Sequence, residues 1–346
     1  MKAYPLRSAP VFKERIWGGQ RLREVFGKDL PPGKKIGESW EIADLPKGKS
    51  TIGNGPLQGQ TLGEVVGKYR EEITGPMRSR HGPVPQASRP PSRPVAGRQK
   101  KQGQEALATG LEPFPLLVKF LDAQDVLSVQ VHPDAATCRR MGKGRPKTEC
   151  WYVIRAEPGA VLYKGLKKGV TKEQFTRAVE TQDVASLLAA VPVQAGECHY
   201  LPAGTLHALS AGLLIAEVQT PSDTTYRVFD WNRVDEHGKP RPLHVAEALE
   251  SIHFDVTPEN LPVTTAGRLV DSEYFTVDKG HQCRNCELFL SRGLMRVLIF
   301  ITGGGIILSK DVEPVEFQAG DCLLIPAAFE GAAKFARDTE YLTVTI

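Results

Sequence analysis

The feature that most restricts the fold is a succession of short, β-rich apolar runs, each cut off within a few residues by Gly, Pro or Asp. They include WYVIRA (151–156), AVLYKG (160–165), HYLPAG (199–204), LLIAEVQ (213–219), RVLIFITG (296–303), GIILSK (305–310), DCLLIPA (321–327) and YLTVTI (341–346). Runs of this length with turn signals at close spacing suit a β-sandwich or barrel, of which the jelly roll is one solution. Helices do not alternate with the runs, which argues against a parallel βαβ sheet. Helical periodicity is scarce. Its clearest stretch is TKEQFTRAVETQDVASLLAAV, where Thr171 and Gln174 form a capping box and Phe175, Val179, Leu187 and Leu188 supply apolar positions. A second helix is expected from Thr61 through GEVVGKYREE. The expected class is mainly β, a double jelly roll with a few helices packed at the side.

The chain has 346 residues, 41% of them hydrophobic, enough for one large core or two average ones. A net charge of +4 gives no general argument for nucleic acid. Residues 75–106 hold seven basic residues and one acidic residue, a local charge of +6, which leaves −2 for the remainder. That segment is rich in Pro, Arg, Gly, Ser and Gln and is expected to be a disordered basic insertion. The N-terminal stretch has no apolar core of a signal peptide, and nothing approaches eighteen unbroken apolar residues. With no such segment and six scattered cysteines, the expected state is a cytoplasmic protein with reduced thiols. Cys283-Arg-Asn-Cys286 is a lone C-x-x-C without a second pair at zinc-finger spacing, and is read as incidental.

Residues 128–134, SVQVHPD, pose a local problem. In a strand, i and i+2 share a face. Val129 and Val131 can enter a core, while Ser128, Gln130 and His132 must face water, hydrogen-bond partners or a metal. The stretch GECHYLPAGTLH (196–207) fits G-x5-P-x-G-x2-H at Gly196, Pro202, Gly204 and His207. The glycines permit sharp turns, Pro202 ends a strand, and His207 is aimed inward. This pattern resembles the second signature of the cupin jelly roll. KTECWYVI sets Lys147, Glu149 and Trp151 on one strand face. Gln130, His132, Glu149 and His207 then make an N/O donor set that suits one Zn²⁺ with an open position, with Mn²⁺, Fe²⁺ or Co²⁺ as borderline alternatives.

Beyond these motifs, VFKERIWGGQRLREVFG, GESWEIAD, PLLVKFLDAQDVLSVQVHPD, KTECWYVI, LPAGTLHAL and EVQTPSDTTYRVFDWNR occur in one order that resembles the type I mannose-6-phosphate isomerases in their shorter bacterial form. The resemblance covers nearly everything except residues 75–106. It implies that the same four residues, Gln130, His132, Glu149 and His207, bind zinc. It also implies a metal-dependent aldose–ketose isomerase that interconverts mannose 6-phosphate and fructose 6-phosphate through a cis-enediol. Such chemistry needs a phosphate clamp, a base and an oxyanion stabiliser.

Ser128 and Lys119 are expected at the phosphate or sugar hydroxyls, and Arg227 at the reacting end or the phosphate. Glu217, in an apolar strand ten residues before Arg227, is the favoured base; Lys147, His199 and a water held by the metal are rivals. Trp17, beside Gly18 and Gly19, either closes a rim of the pocket or packs in the core, and Trp40 poses the same choice.

GDCLLIPAAFEG repeats the Gly-x5-Pro rhythm at Gly320 and Pro326, but Ala328 and Gly331 occupy the places of the second glycine and the histidine. A catalytic unit over 1–262 and a second, metal-free unit over 263–346 are therefore expected. The partner is a small sugar phosphate, with neither nucleic acid nor membrane, and the chain is a monomer or homodimer. Competing readings are a cupin isomerase for another sugar, phosphorylated or free, and a sugar-binding cupin without turnover.

Overall fold

The computed structural model describes residues 2–75, 113–234 and 238–346. Most of the 75–106 segment lies outside these. Strands dominate, and the chain forms stacked antiparallel sheets in the double jelly-roll manner of cupins. A seven-stranded sheet runs in the order Val263–Thr264, Cys198–Leu201, Glu149–Ala156, Leu213–Gln219, Leu117–Ala123, Ile36–Ile42, Val11–Gly19. Facing it is a five-stranded sheet: Leu188–Pro192, Val161–Leu166, His207–Leu209, Val129–Val131, Tyr226–Phe229. Between them Trp17, Leu121, Trp151, Val153 and Ile215 meet Leu162 and Leu209.

The back of the seven-stranded sheet is apolar too. Val118, Phe120, Tyr152, Leu214 and Val218 share one cluster with Leu6, Val277, Ile299, Leu324 and Leu342. A strand buried on both faces has no solvent side, which is why LLIAEVQ reads as a nearly continuous apolar run. The second seven-stranded sheet, built mainly from residues 268–345, also takes in Leu6–Ala9 and Thr51–Ile52, with Leu6 opposite Leu324. Sequence before residue 263 thus closes the edge of the C-terminal unit. A four-stranded sheet covers its far side, and the space between is filled by Phe300, Phe317, Phe335 and Tyr341, with Phe300 stacked on Phe317 at 4.0 Å.

Helices flank the five-stranded sheet, where Phe175, Ala248 and Ile252 pack on Val129, Val131 and Val228. The Thr171 cap is present and starts a helix over Lys172–Glu180. The periodic stretch does not continue as one helix, however. Gln182 takes a left-handed φ of 59°, a 3-10 turn spans Val184–Leu187, and Leu188–Pro192 is a strand. Pairing with Val161–Leu166 overrides helical periodicity there. Thr61 caps Leu62–Lys68 as expected, but the helix stops at Tyr69 and a separate one spans Arg70–Thr74.

Candidate functional site

Strand register assembles the site. Directly opposed residues of antiparallel strands project to one face. In the five-stranded sheet Lys164 lies opposite His207, His207 opposite Gln130, and Gln130 opposite Arg227. In the facing sheet His199, Trp151, Glu217, Lys119 and Trp40 form one row, with Glu149 and Gln219 in the next. Polar side chains therefore cluster on the inner faces of strands whose other faces are apolar.

Around His207 the loop does what its glycines suggested. Gly204 has φ 87°, and its backbone N–H donates to the carbonyl of His132 at 2.8 Å. Pro202 follows the strand Cys198–Leu201. The Nδ1 of His207 bonds the carbonyl of Thr205 at 2.8 Å, and that of His132 bonds the carbonyl of Thr224 at 2.9 Å. A carbonyl only accepts, so each Nδ1 carries the hydrogen and each neutral ring presents the lone pair of Nε2.

Both Nε2 atoms point at Glu149, at 3.4 Å from His132 and 3.3 Å from His207. Ligand atoms of His132, Glu149 and His207 lie within 4.8 Å of one another, all buried. Among the described residues, His132 Nε2 and Glu149 Oε1 lack a partner, while Glu149 Oε2 has the Lys147 ammonium at 2.7 Å. Leaving a buried polar group unpaired costs about 1–3 kcal/mol, and here two such atoms converge. A divalent cation would satisfy both together. Gln130 joins them, its amide facing His207 at 3.4 Å. The amide can turn either its oxygen or its nitrogen to that point.

The protonation states also suit a cation. Burial, helped by the charge of Lys147, pushes His132 down to about 3, and burial lowers His207. Burial alone would raise Glu149, but the ammonium of Lys147 beside it holds it well below the usual carboxylate range. Lys147 Nζ sits 2.7 Å from Glu149. Burial works against its charge, yet Glu149 and Glu217 outweigh that and raise its pKa. As placed, Lys147 is an ammonium ion and not a free base.

A cleft of about 400 Å³ opens beside the cluster. Lys13, Arg15, Lys47, Lys119 and Lys147 line it against only two carboxylates, Glu38 and Asp223, with Trp40 and Thr225 completing the wall. Lys119 donates to Glu217 and to Gln219, each at 2.7 Å, and its ammonium lies 5.4 Å from the centre of the Trp40 ring. The second oxygen of Glu217 accepts from Trp151 Nε1 at 3.2 Å. The apolar strand therefore does not leave Glu217 without a counter-charge, and Lys119 is no free clamp. Arg227 lies abreast of Gln130; its Nη1 donates to the carbonyl of Pro242 at 3.0 Å, and its buried Nε has no partner among the described residues.

Trp17 and Ser128 are buried and do not line this cleft. Of the two roles open to Trp17, packing with Leu121, Trp151 and Leu209 is the one its burial supports; the cleft's indole is Trp40. Sequence reasoning also missed Lys13, Arg15, Glu38, Lys47, Asp223 and Thr225. Their one readable signal was alternation: Val11 and Lys13 lie opposite Trp40 and Glu38.

A cupin sandwich with a buried His–Glu–His cluster at the end of a cationic cleft defines a metal-centre protein that takes an anionic small molecule. The model for the catalytic domain of type I phosphomannose isomerase matches residues 92–149. A probable mannose-6-phosphate isomerase of Bacillus subtilis (strain 168), GmuF, is 36% identical over 345 residues, covering 96% of this chain and 98% of that protein. The mannose-6-phosphate isomerase of Streptococcus mutans is 34% identical, covering 94% and 93%. A crystal structure of mannose 6-phosphate isomerase from Bacillus subtilis superposes with a TM-score of 0.79 at 30% identity over 99% of both chains. The chain belongs to the type I mannose-6-phosphate isomerases.

Proposed function

We infer that this chain is a mannose-6-phosphate isomerase, a metal-dependent enzyme that interconverts mannose 6-phosphate and fructose 6-phosphate. Family membership over the full length supports the activity, and one observation supports the site: the convergence of unpartnered donor atoms on His132 and Glu149 beside His207. In this reading Gln130, His132, Glu149 and His207 hold one Zn²⁺, a donor set without thiolate that leaves a position for substrate. When bound, the cation polarises the sugar oxygens as a Lewis acid.

The chain's own groups do the rest. The proton between C1 and C2 passes through Glu217 Oε1, which must first be released from Lys119. Lys119 then turns its charge toward the substrate's hydroxyls or phosphate, so the pair exchanges partners as the sugar enters. Lys147, held protonated, faces the oxygen on which charge develops. Arg227, with an N–H to spare, stabilises the enediolate or grips the phosphate. The excess of cations in the cleft favours a phosphorylated sugar over a free one. Ser128, buried next to the strand of Gln130, is kept as a hydroxyl contact. Residues 1–262 form the catalytic unit and 263–346 a metal-free structural one. The six free cysteines suit a reducing cytoplasm, and no helix among the described residues is long and apolar enough to cross a membrane.

The test is a coupled assay for fructose 6-phosphate with the protein as purified, after chelation, and after zinc is restored. Mannose 6-phosphate should turn over, stop turning over on chelation, and recover with zinc. Inertness of the zinc-loaded protein toward mannose 6-phosphate, alongside turnover of another sugar, would overturn the substrate assignment.

A further inference from the structure

The isomerase reading leaves one sequence motif without a use: Cys283 and Cys286. They stand where the strand Thr276–Gln282, of the second seven-stranded sheet, turns into Glu287–Leu290 of the four-stranded sheet. The N–H of Cys286 donates to the carbonyl of Cys283 at 3.1 Å, closing a four-residue turn in which Asn285 has φ 69°. Such a turn holds its first and last Cα atoms within about 7 Å, and disulfides form across about 4.4–6.8 Å.

Outside bonds fix the turn. Arg284 N–H donates to Asp338 Oδ1 at 2.8 Å and Asn285 N–H to the carbonyl of Phe335 at 2.7 Å. Both cysteines are exposed, whereas Cys150, Cys198 and Cys322 are buried. A soluble oxidant therefore meets this pair first. A metal site would need further donors, and among the described residues the grouped His, Cys, Asp and Glu ligands are those of His132, Glu149 and His207 alone.

We propose that Cys283 and Cys286 form a reversible dithiol–disulfide pair that closes on a low-molecular-weight disulfide. One cysteine thiolate attacks the small disulfide, making a mixed disulfide and expelling one small thiol. The second thiolate attacks the protein-side sulfur, forming the intramolecular S–S bond and expelling the other. Two electrons pass from the protein to the small disulfide, which leaves as two thiols. The closed loop is short and exposed, so closure gains little chain entropy and reduction is easy. The bond would pin the corner between the two sheets of the C-terminal unit, and it shares no residue with the cleft.

To test this, the full zinc-loaded protein is equilibrated in buffers of graded small-disulfide to thiol ratio, quenched in acid, alkylated and mapped by mass. The peptide with Cys283 and Cys286 should pass from doubly alkylated to unalkylated and lighter by two hydrogens, in one two-electron step that excess dithiol reverses. Cys286→Ser should stop at a mixed disulfide on Cys283, with isomerase rate unchanged as the control for folding. Both thiols staying alkylatable across the series, or each taking a small-thiol adduct without closure, overturns the proposal. So does a second equivalent of zinc that Cys283→Ser removes, which would make the pair a metal site.

Discussion

At the scale of single residues, three side chains do different jobs, and substitution should separate them. His207→Ala removes a donor whose tautomer is fixed by Thr205, so metal and activity should be lost together. Retention of stoichiometric zinc by this variant, measured by metal analysis, would refute the ligand set. Arg227→Ala removes a charge whose side-chain hydrogen bond among the described residues goes to a backbone carbonyl, so metal should stay while kcat/KM falls by roughly 10²–10³, the usual loss when one electrostatic stabiliser is deleted. Glu38 offers a pH test. Burial would raise it, but Lys119, Arg15 and Trp40 hold it down to about 2, against an ordinary 4.5. Its folded pKa is depressed, so its contribution is complete above about pH 4.5 and is lost as pH falls toward 2. The shift is worth on the order of 3 kcal/mol. In urea titrations Glu38→Gln should flatten the decline of stability across that window; an unchanged slope would place the acid sensitivity elsewhere.

The element scale shows what the sequence could and could not disclose. Parity along QVH and KTE was enough to align Gln130 with His132 and Lys147 with Glu149, because a strand's two-residue period needs no knowledge of its neighbours. Gly204 and Pro202 likewise announced a turn by their own backbone demands. The cleft mouth was illegible for the opposite reason. Lys13 meets Trp40 and Glu38 only through pairing of Val11–Gly19 with Ile36–Ile42, and Asp223 reaches Lys47 from a distant loop at 2.9 Å. The same limit left both roles of Trp17 open, since nothing in IWGG says which way a bulged strand turns. It misled the reading of the helix after Thr171, whose final residues joined a sheet instead. The cap itself stands apart from these tertiary contests. Thr171→Ala leaves the N–H of Gln174 without its acceptor, a bond of 3.2 Å, and should cost about 1 kcal/mol. Calorimetry should register a fall in Tm of about 2 °C, with kcat intact because the helix packs on the outer face of the five-stranded sheet.

For the whole molecule, the decisive feature is the cluster shared between the two seven-stranded sheets. Val118, Phe120 and Val218 back the strands that position Lys119, Glu217 and Gln219, and their partners are Leu324, Ile299 and Val344 of the C-terminal unit. An unaccompanied 1–262 unit would expose that whole face to water, at about 25 cal/mol per Å² of apolar surface. The two units are therefore expected to unfold together, and damage in the second should be felt at the metal. Leu324→Ala provides the measurement. Leu324 is wholly buried, lies opposite Leu6 and Val297, and does not line the cleft. Its truncation should remove about 2–5 kcal/mol. Scanning calorimetry should show one transition moved to lower temperature, with metal release and loss of isomerase activity following the same curve. A separate early transition, after which zinc stays bound and mannose 6-phosphate still turns over, would mean that the catalytic sandwich stands alone and that the shared cluster contributes only to solubility.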